Sequence, residues 1–69
     1  MKIKSLVEFS GVPKGTTGTA ERDPEYENNW KIEWDGIETN GLVEGRFTKK
    51  PLADWFDQYE FDKYLVIVE

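Results

Sequence analysis

The chain has 69 residues, ten of them aromatic, with no cysteine, no histidine and a formal net charge of −5. This length accommodates one domain over residues 1–69 and excludes a second, while the missing residue types exclude disulfides, thiolate zinc sites and catalysis by Cys or His. The negative charge repels a phosphate backbone at long range, which disfavours generic nucleic-acid binding.

The first predicted strand covers residues 2–9. Ile3, Val7 and Phe9 fall on one face of an extended chain and charged residues fall on the other, which is the period-two pattern of a half-buried strand. Pro13 then presets the φ angle of the first central position of a turn. We expect the chain to reverse its direction at this proline.

A second strand is predicted in the threonine-rich residues 16–20, because β-branched residues favour a pleated surface. Gly18 within it indicates a bend, or another backbone passing close by. Residues 21–29 have no apolar period, contain Pro24 and carry four acids against one base. We expect these residues to form a solvated, mobile hairpin loop.

The third strand has the clearest signal in the chain, since Trp30, Ile32 and Trp34 alternate with charged residues. Their shared face is predicted to enter the core. The dipeptide at 35–36, Asp-Gly, is a favoured turn sequence, so we expect the strand to end there. A further short strand is predicted at residues 42–47.

The last segment predicts a short helix and then a final strand. Pro51 can occupy the first turn of a helix, and four later residues recur at helical offsets, namely Trp55, Phe56, Tyr59 and Lys63. The nearly continuous apolar run at 64–69 indicates a strand covered on both sides and paired with the first strand. The predicted core consists of Val7, Phe9, Trp30, Ile32, Trp34, Leu65 and Ile67.

Together these elements resemble an SH3-like small barrel, with about five mostly antiparallel strands and one short helix before the last strand. The run "PKGTTGTA" (13–20), followed after an acidic loop by "WKIEWD" (30–35), is similar to small bacterial and phage proteins of unknown function with this fold. KOW-type domains share the glycine at the bend and often contact RNA through basic loops. The corresponding loop is acidic here, so the resemblance implies a fold and no RNA ligand.

Carboxylates are the remaining candidates for catalysis or metal binding. Asp54, Asp57 and Glu60 would lie along one flank of the predicted helix, where a hard cation could collect oxygen ligands. No calcium-loop pattern accompanies them, and no base accompanies the threonine hydroxyls. We therefore expect a solvated helix face, with no enzymatic activity, no cofactor and no bound metal.

The sequence thus predicts a non-enzymatic, acidic interaction module. Its start lacks a signal-peptide pattern and no apolar run reaches membrane-spanning length, so we expect a cytoplasmic protein with no membrane contact. Two alternatives stay open: a nucleic-acid-mimicking or nucleic-acid-linked accessory protein, and a structural subunit that pairs through a strand edge. The expected partner-binding residues are the exposed aromatics and acids of two segments: Glu25, Tyr26, Glu27, Asp54, Trp55 and Asp57.

Overall fold

The structure, a computed structural model, describes residues 1–68, which form five antiparallel strands and one helix. The elements in chain order are β1 (Lys2–Ser5), β2 (Thr17–Arg22), β3 (Asn29–Val43), β4 (Arg46–Asp57), α1 (Gln58–Tyr64) and β5 (Leu65–Ile67). The strands make one sheet in the order β4-β3-β2-β1-β5. The predicted class, a mostly antiparallel all-β fold with one short helix before the last strand, is confirmed.

The core lies on one face of this sheet, as the alternation in β3 predicts. Trp30, Ile32 and Trp34 are all buried, and Trp34 retains only 1% of its exposure. The ring of Phe9 covers them from outside the sheet, with its centroid 5.9 Å from that of Trp34 and 5.3 Å from that of Phe56. The other buried apolar residues are Ile3, Val12, Ala20, Phe61 and Leu65.

Strand β1 is shorter than predicted, because the chain leaves the sheet after Ser5. The backbone N–H of Ser5 donates to the carbonyl of Thr16 at 2.9 Å, and the Ser5 hydroxyl accepts from the Thr16 N–H at 3.1 Å. The next residues form a loop closed by a bridge between Phe9 and Val12. Val7 and Phe9 are consequently half-buried in this loop, so their predicted place in a strand is wrong.

The turn predicted at 35–36 is also wrong, because β3 continues through it. Glu33 pairs with Ala53, and Glu38 pairs with Pro51. Between these two pairs β3 advances by five residues and β4 by only two, so the extra residues of β3 form a bulge. The chain reverses instead at 44–45, within the short strand predicted at 42–47. Both turn residues there have positive φ, 52° and 79°, as a two-residue type I′ turn requires.

The helix begins at Gln58, seven residues later than predicted from Pro51. Trp55 is exposed and Phe56 is buried, which is the alternation of a strand. Asp57 is the N-cap: its Oδ1 accepts from the Glu60 N–H at 2.8 Å, and the Glu60 carboxylate accepts from the Asp57 N–H at 3.1 Å. The predicted helical flank of three acids is therefore wrong.

Strand β5 pairs with β1, as predicted, but it is not covered on both sides. It is the outermost strand of the sheet, so Val66 and Ile67 remain exposed. Ile67 keeps 51% of its exposure, and its predicted burial is wrong. The strand was predicted to reach Glu69, which lies outside the described residues.

Candidate functional site

Trp55 lies on the outer face of the sheet, away from the core. It pairs with Lys31 across the β3–β4 ladder, while its neighbour Phe56 pairs with Trp30 on the buried face. Because successive side chains of a strand alternate, a buried Phe56 requires that Trp55 point outward. Trp55 remains 56% exposed, which leaves a large apolar area open on this face of the sheet.

A hollow of about 220 Å³ lies beside this tryptophan. Ligand pockets for small molecules usually measure about 300–1,000 Å³, so this hollow has room for roughly one amino-acid side chain. Its rim carries both signs of charge, and the Lys31 ammonium lies 3.9 Å from the Glu33 carboxylate. The lining residues are Lys31, Glu33, Thr39, Lys50, Pro51, Leu52, Ala53 and Trp55.

Two of the predicted partner-binding acids have structural roles. Asp54 accepts a 2.7 Å hydrogen bond from the indole N–H of buried Trp34, so its carboxylate faces the core side of β4. Asp57 caps α1. Asp54 and Trp55 are adjacent in one strand and therefore point to opposite faces of the sheet.

The other predicted segment lies in the loop between β2 and β3. Glu25, Tyr26 and Glu27 are all exposed there. The loop borders a second, more open hollow of about 610 Å³, lined by Arg22, Asp23, Pro24, Glu27, Asn28 and Gln58. The two hollows share no lining residue, so the structure does not bring the two predicted segments together in one groove.

The base of this loop is held by Arg22, which sequence reasoning did not select. Its guanidinium carbon lies 4.0 Å from the centroid of the Trp30 ring. The same guanidinium donates to the Glu27 carbonyl at 2.9 Å and to the Gln58 side-chain oxygen at 3.0 Å. The Trp30 indole N–H donates to that oxygen as well, at 2.9 Å. These contacts tie the loop to the start of α1.

One perturbed carboxylate lies elsewhere on the outer face. Asp35 accepts hydrogen bonds from the Lys2 ammonium and, at 2.7 Å, from the Thr17 hydroxyl. The Lys2 hydrogen bond and then that of Thr17 lower the pKa of Asp35 below its ordinary value. A carboxyl with a lowered pKa is a weak base at neutral pH, so this cluster favours a structural role.

Residues 1–68 contain no group of three or more His, Cys, Asp or Glu side chains placed to hold a metal ion. The helix in this part of the chain is too short and too polar to cross a membrane. Comparison of the chain with protein-family models, with curated proteins and with solved structures finds no match in any of the three. The two hollows and the exposed residues beside them are therefore the features of this chain that bear on its function.

Proposed function

We propose that the protein is a non-enzymatic interaction module whose hollow beside Trp55 receives one side chain of a protein partner. The observation that carries this proposal is a half-exposed tryptophan next to a hollow of side-chain size. Tryptophan is enriched among the residues that dominate binding energy at interfaces, because it buries a large rigid surface. Trp55 belongs to the partner-binding surface that the sequence predicts. The rim residues of the hollow take the place of the predicted acids.

The chemistry of the hollow specifies the side chain that it would receive. Besides Trp55, the apolar residues of its lining are Pro51, Leu52 and Ala53, so an apolar or aromatic side chain suits its interior. The rim has two bases, Lys31 and Lys50, against one acid. A partner segment with a carboxylate beside its apolar residue would therefore associate faster than one with a lysine there.

Strand-edge pairing is the second candidate, and the position of β4 favours it. This strand is the outermost of the sheet, with no strand on its far side among residues 1–68. Pro51 and the lysines at 49–50 blunt the middle of this edge, whereas residues 53–57 contain neither a proline nor a lysine. A partner strand laid along 53–57 would add to the sheet directly beside Trp55.

We also propose the SH3-like assignment and a cytoplasmic location, which rest on the sequence. The return of β5 to pair with β1 supports the first of these, and so does the tight position of Gly18 in β2. A Cβ at Gly18 would lie 2.7 Å from the carbonyl oxygen of Glu33, so β2 and β3 approach closely at this glycine. Close approach of a second backbone is the second of the two features that Gly18 indicates in the sequence.

Selection from a random peptide library tests the proposal. Peptides selected on the wild-type chain should share an apolar residue next to an acid, and counter-selection on Trp55→Ala should remove them. Selected peptides with N-methylated backbones separate the two candidates, because methylation abolishes strand addition and spares side-chain insertion. Enrichment of the same peptides on Trp55→Ala would contradict the proposed site.

A further inference from the structure

The hollow beside Trp55 is closed on one side by the hairpin that the far ends of β3 and β4 form. Beyond the bulge, residues 38–43 pair with residues 46–51, and these two segments are the hairpin. Lys50 lines the hollow from the hairpin, and Lys31 lines it from the part of β3 that precedes the bulge. The two lysines on the rim therefore lie in different surroundings.

Lys31 shares its side of the hollow with an acid. Its ammonium lies 3.9 Å from the Glu33 carboxylate, and the two side chains are 43% and 41% exposed. Glu33 lines the hollow as well, so a ligand carboxylate that approaches Lys31 also approaches a like charge. The attraction and the repulsion act over similar distances and largely offset each other. Lys31 therefore gives the hollow little preference for a charged ligand.

Lys50, by contrast, has no acid beside it in the ladder. Its neighbours on the same face of the hairpin are all uncharged, namely Thr39, Gly41 and Thr48. The Lys50 ammonium forms no ion pair and no hydrogen bond within residues 1–68. Its charge thus remains available to a ligand, and no neighbouring carboxylate on this face repels an acidic one.

Gly41 explains the position of the Lys50 side chain. A Cβ at Gly41 would lie 2.6 Å from the Cδ of Lys50 and 2.9 Å from its Nζ, so only a glycine leaves room for the side chain there. The aliphatic part of Lys50 covers the Gly41 backbone, which is buried although Lys50 itself is exposed. Because the atoms in the way belong to the end of a flexible side chain, a residue larger than glycine would displace Lys50 and leave the strands in place.

We propose that Lys50 selects an acidic ligand at this hollow, and that Gly41 is a positioning residue that acts through Lys50. The inference rests on the proposed function, because it takes the hollow beside Trp55 as the binding site. An apolar side chain of the ligand enters the hollow, and a carboxylate on the next ligand residue lies on the hairpin side, against the Lys50 ammonium. An ion pair at an exposed site contributes modestly, so we expect about 3-fold selectivity for a carboxylate over an amide of the same shape.

Two capped dipeptides, N-acetyl-Phe-Glu-amide and N-acetyl-Phe-Gln-amide, measure this selectivity by NMR titration at about 0.15 M salt, where distant charges are screened. The selectivity ratio is the dissociation constant of the glutamine dipeptide divided by that of the glutamate dipeptide. It should be about 3 on the wild type and about 1 on Lys50→Met, which keeps the aliphatic stem and removes the charge. Lys31→Met should lower the ratio less than Lys50→Met does.

The adjacent lysine supplies a matched control. Lys49 lies on the opposite face of β4 and outside the hollow, so Lys49→Met should leave both dissociation constants unchanged. A wild-type ratio of 1 overturns the proposal. It is also overturned if Lys31→Met or Lys49→Met removes the selectivity and Lys50→Met keeps it.

Gly41→Ala tests the positioning role. This substitution should lower the ratio towards 1 in the wild-type background and should leave it unchanged in the Lys50→Met background, because Gly41 acts through Lys50. The free energy of unfolding in urea should not fall, since alanine is more favourable than glycine within a strand. An equal change of the ratio in the two backgrounds would show that Gly41 does not act through Lys50.

Trp55→Ala separates this inference from the proposal on which it rests. If neither dipeptide binds the wild type, or both bind Trp55→Ala equally well, the hollow is not the site and both proposals are wrong. If both dipeptides bind the wild type and lose affinity in Trp55→Ala, the hollow is the site. A ratio that then stays at its wild-type value in Lys50→Met would show that Lys50 does not select the ligand.

Discussion

Removal of the acceptor for the buried Trp34 indole should measurably destabilise the domain. In Asp54→Ala the Nε1–H, now 2.7 Å from a carboxylate oxygen, loses its partner while its side chain stays 1% exposed. An unsatisfied buried donor costs about 1–3 kcal/mol, against a total of about 3–10 kcal/mol for a chain of this size. Such a loss would lower the Tm by roughly 5–20 °C. Urea unfolding followed by circular dichroism gives the free energy of unfolding directly.

The matched variants isolate this hydrogen bond from the loss of charge. Asp54→Asn keeps an oxygen acceptor, so it should cost less than half as much as Asp54→Ala. In a Trp34→Phe background the donor is absent, and Asp54→Ala should then cost at least about 1 kcal/mol less than it does in the wild type. Equal effects of Asp54→Ala in the two backgrounds would show that the bond contributes nothing and that our account of Asp54 is wrong.

Three further substitutions test local features of the fold. Asp57→Ala should lower the free energy of unfolding by about 1 kcal/mol in the same urea assay, because α1 loses its N-cap. An unchanged free energy would mean that the cap is not formed in solution. Glu44→Asn should raise the free energy of unfolding by about 0.5–1 kcal/mol, since asparagine tolerates the positive φ of this turn better than glutamate does. A lower free energy of unfolding would contradict the turn assignment. Because the pKa of Asp35 is lowered, its carboxylate contributes stability at pH values above the ordinary carboxyl pKa of 3.8, and this contribution is lost as the pH falls through the lowered pKa. Asp35→Asn should therefore flatten the acid limb of a curve of stability against pH. An unchanged acid limb would contradict the pairing with Lys2.

The parts of the fold that follow from local alternation were predictable, and those that depend on pairing were not. The face formed by Trp30, Ile32 and Trp34 could be assigned because charges separate these residues at a period of two. Trp55 and Phe56 gave no such signal, since adjacent aromatics fit a helix and a strand equally well. Their register against β3 decides the matter, and no local pattern encodes register across a bulge.

The candidate site is only partly predictable from the sequence, because it too depends on how the strands pair. The exposure of Trp55 and Tyr26 was expected, but the sequence cannot tell that Asp54 and Trp55 lie on opposite faces until the strand is known. The rim residue Lys31 could have been found from the alternation in β3, which places it on the outer face. Lys50 reaches the same hollow only through the pairing of β3 with β4, so no signal in its own neighbourhood predicts it.

The most direct test of the interaction-module proposal is the dissociation constant of one selected peptide, measured by calorimetry on four chains. Trp55→Ala should raise this constant by about 30-fold or more relative to the wild type, which corresponds to the 2 kcal/mol typical of an anchor, and Trp55→Phe should raise it less. Tyr59→Ala removes a more exposed aromatic on α1, outside the hollow, and should leave the constant unchanged. If Tyr59→Ala weakens binding and Trp55→Ala does not, the partner binds elsewhere and the hollow beside Trp55 is not the site.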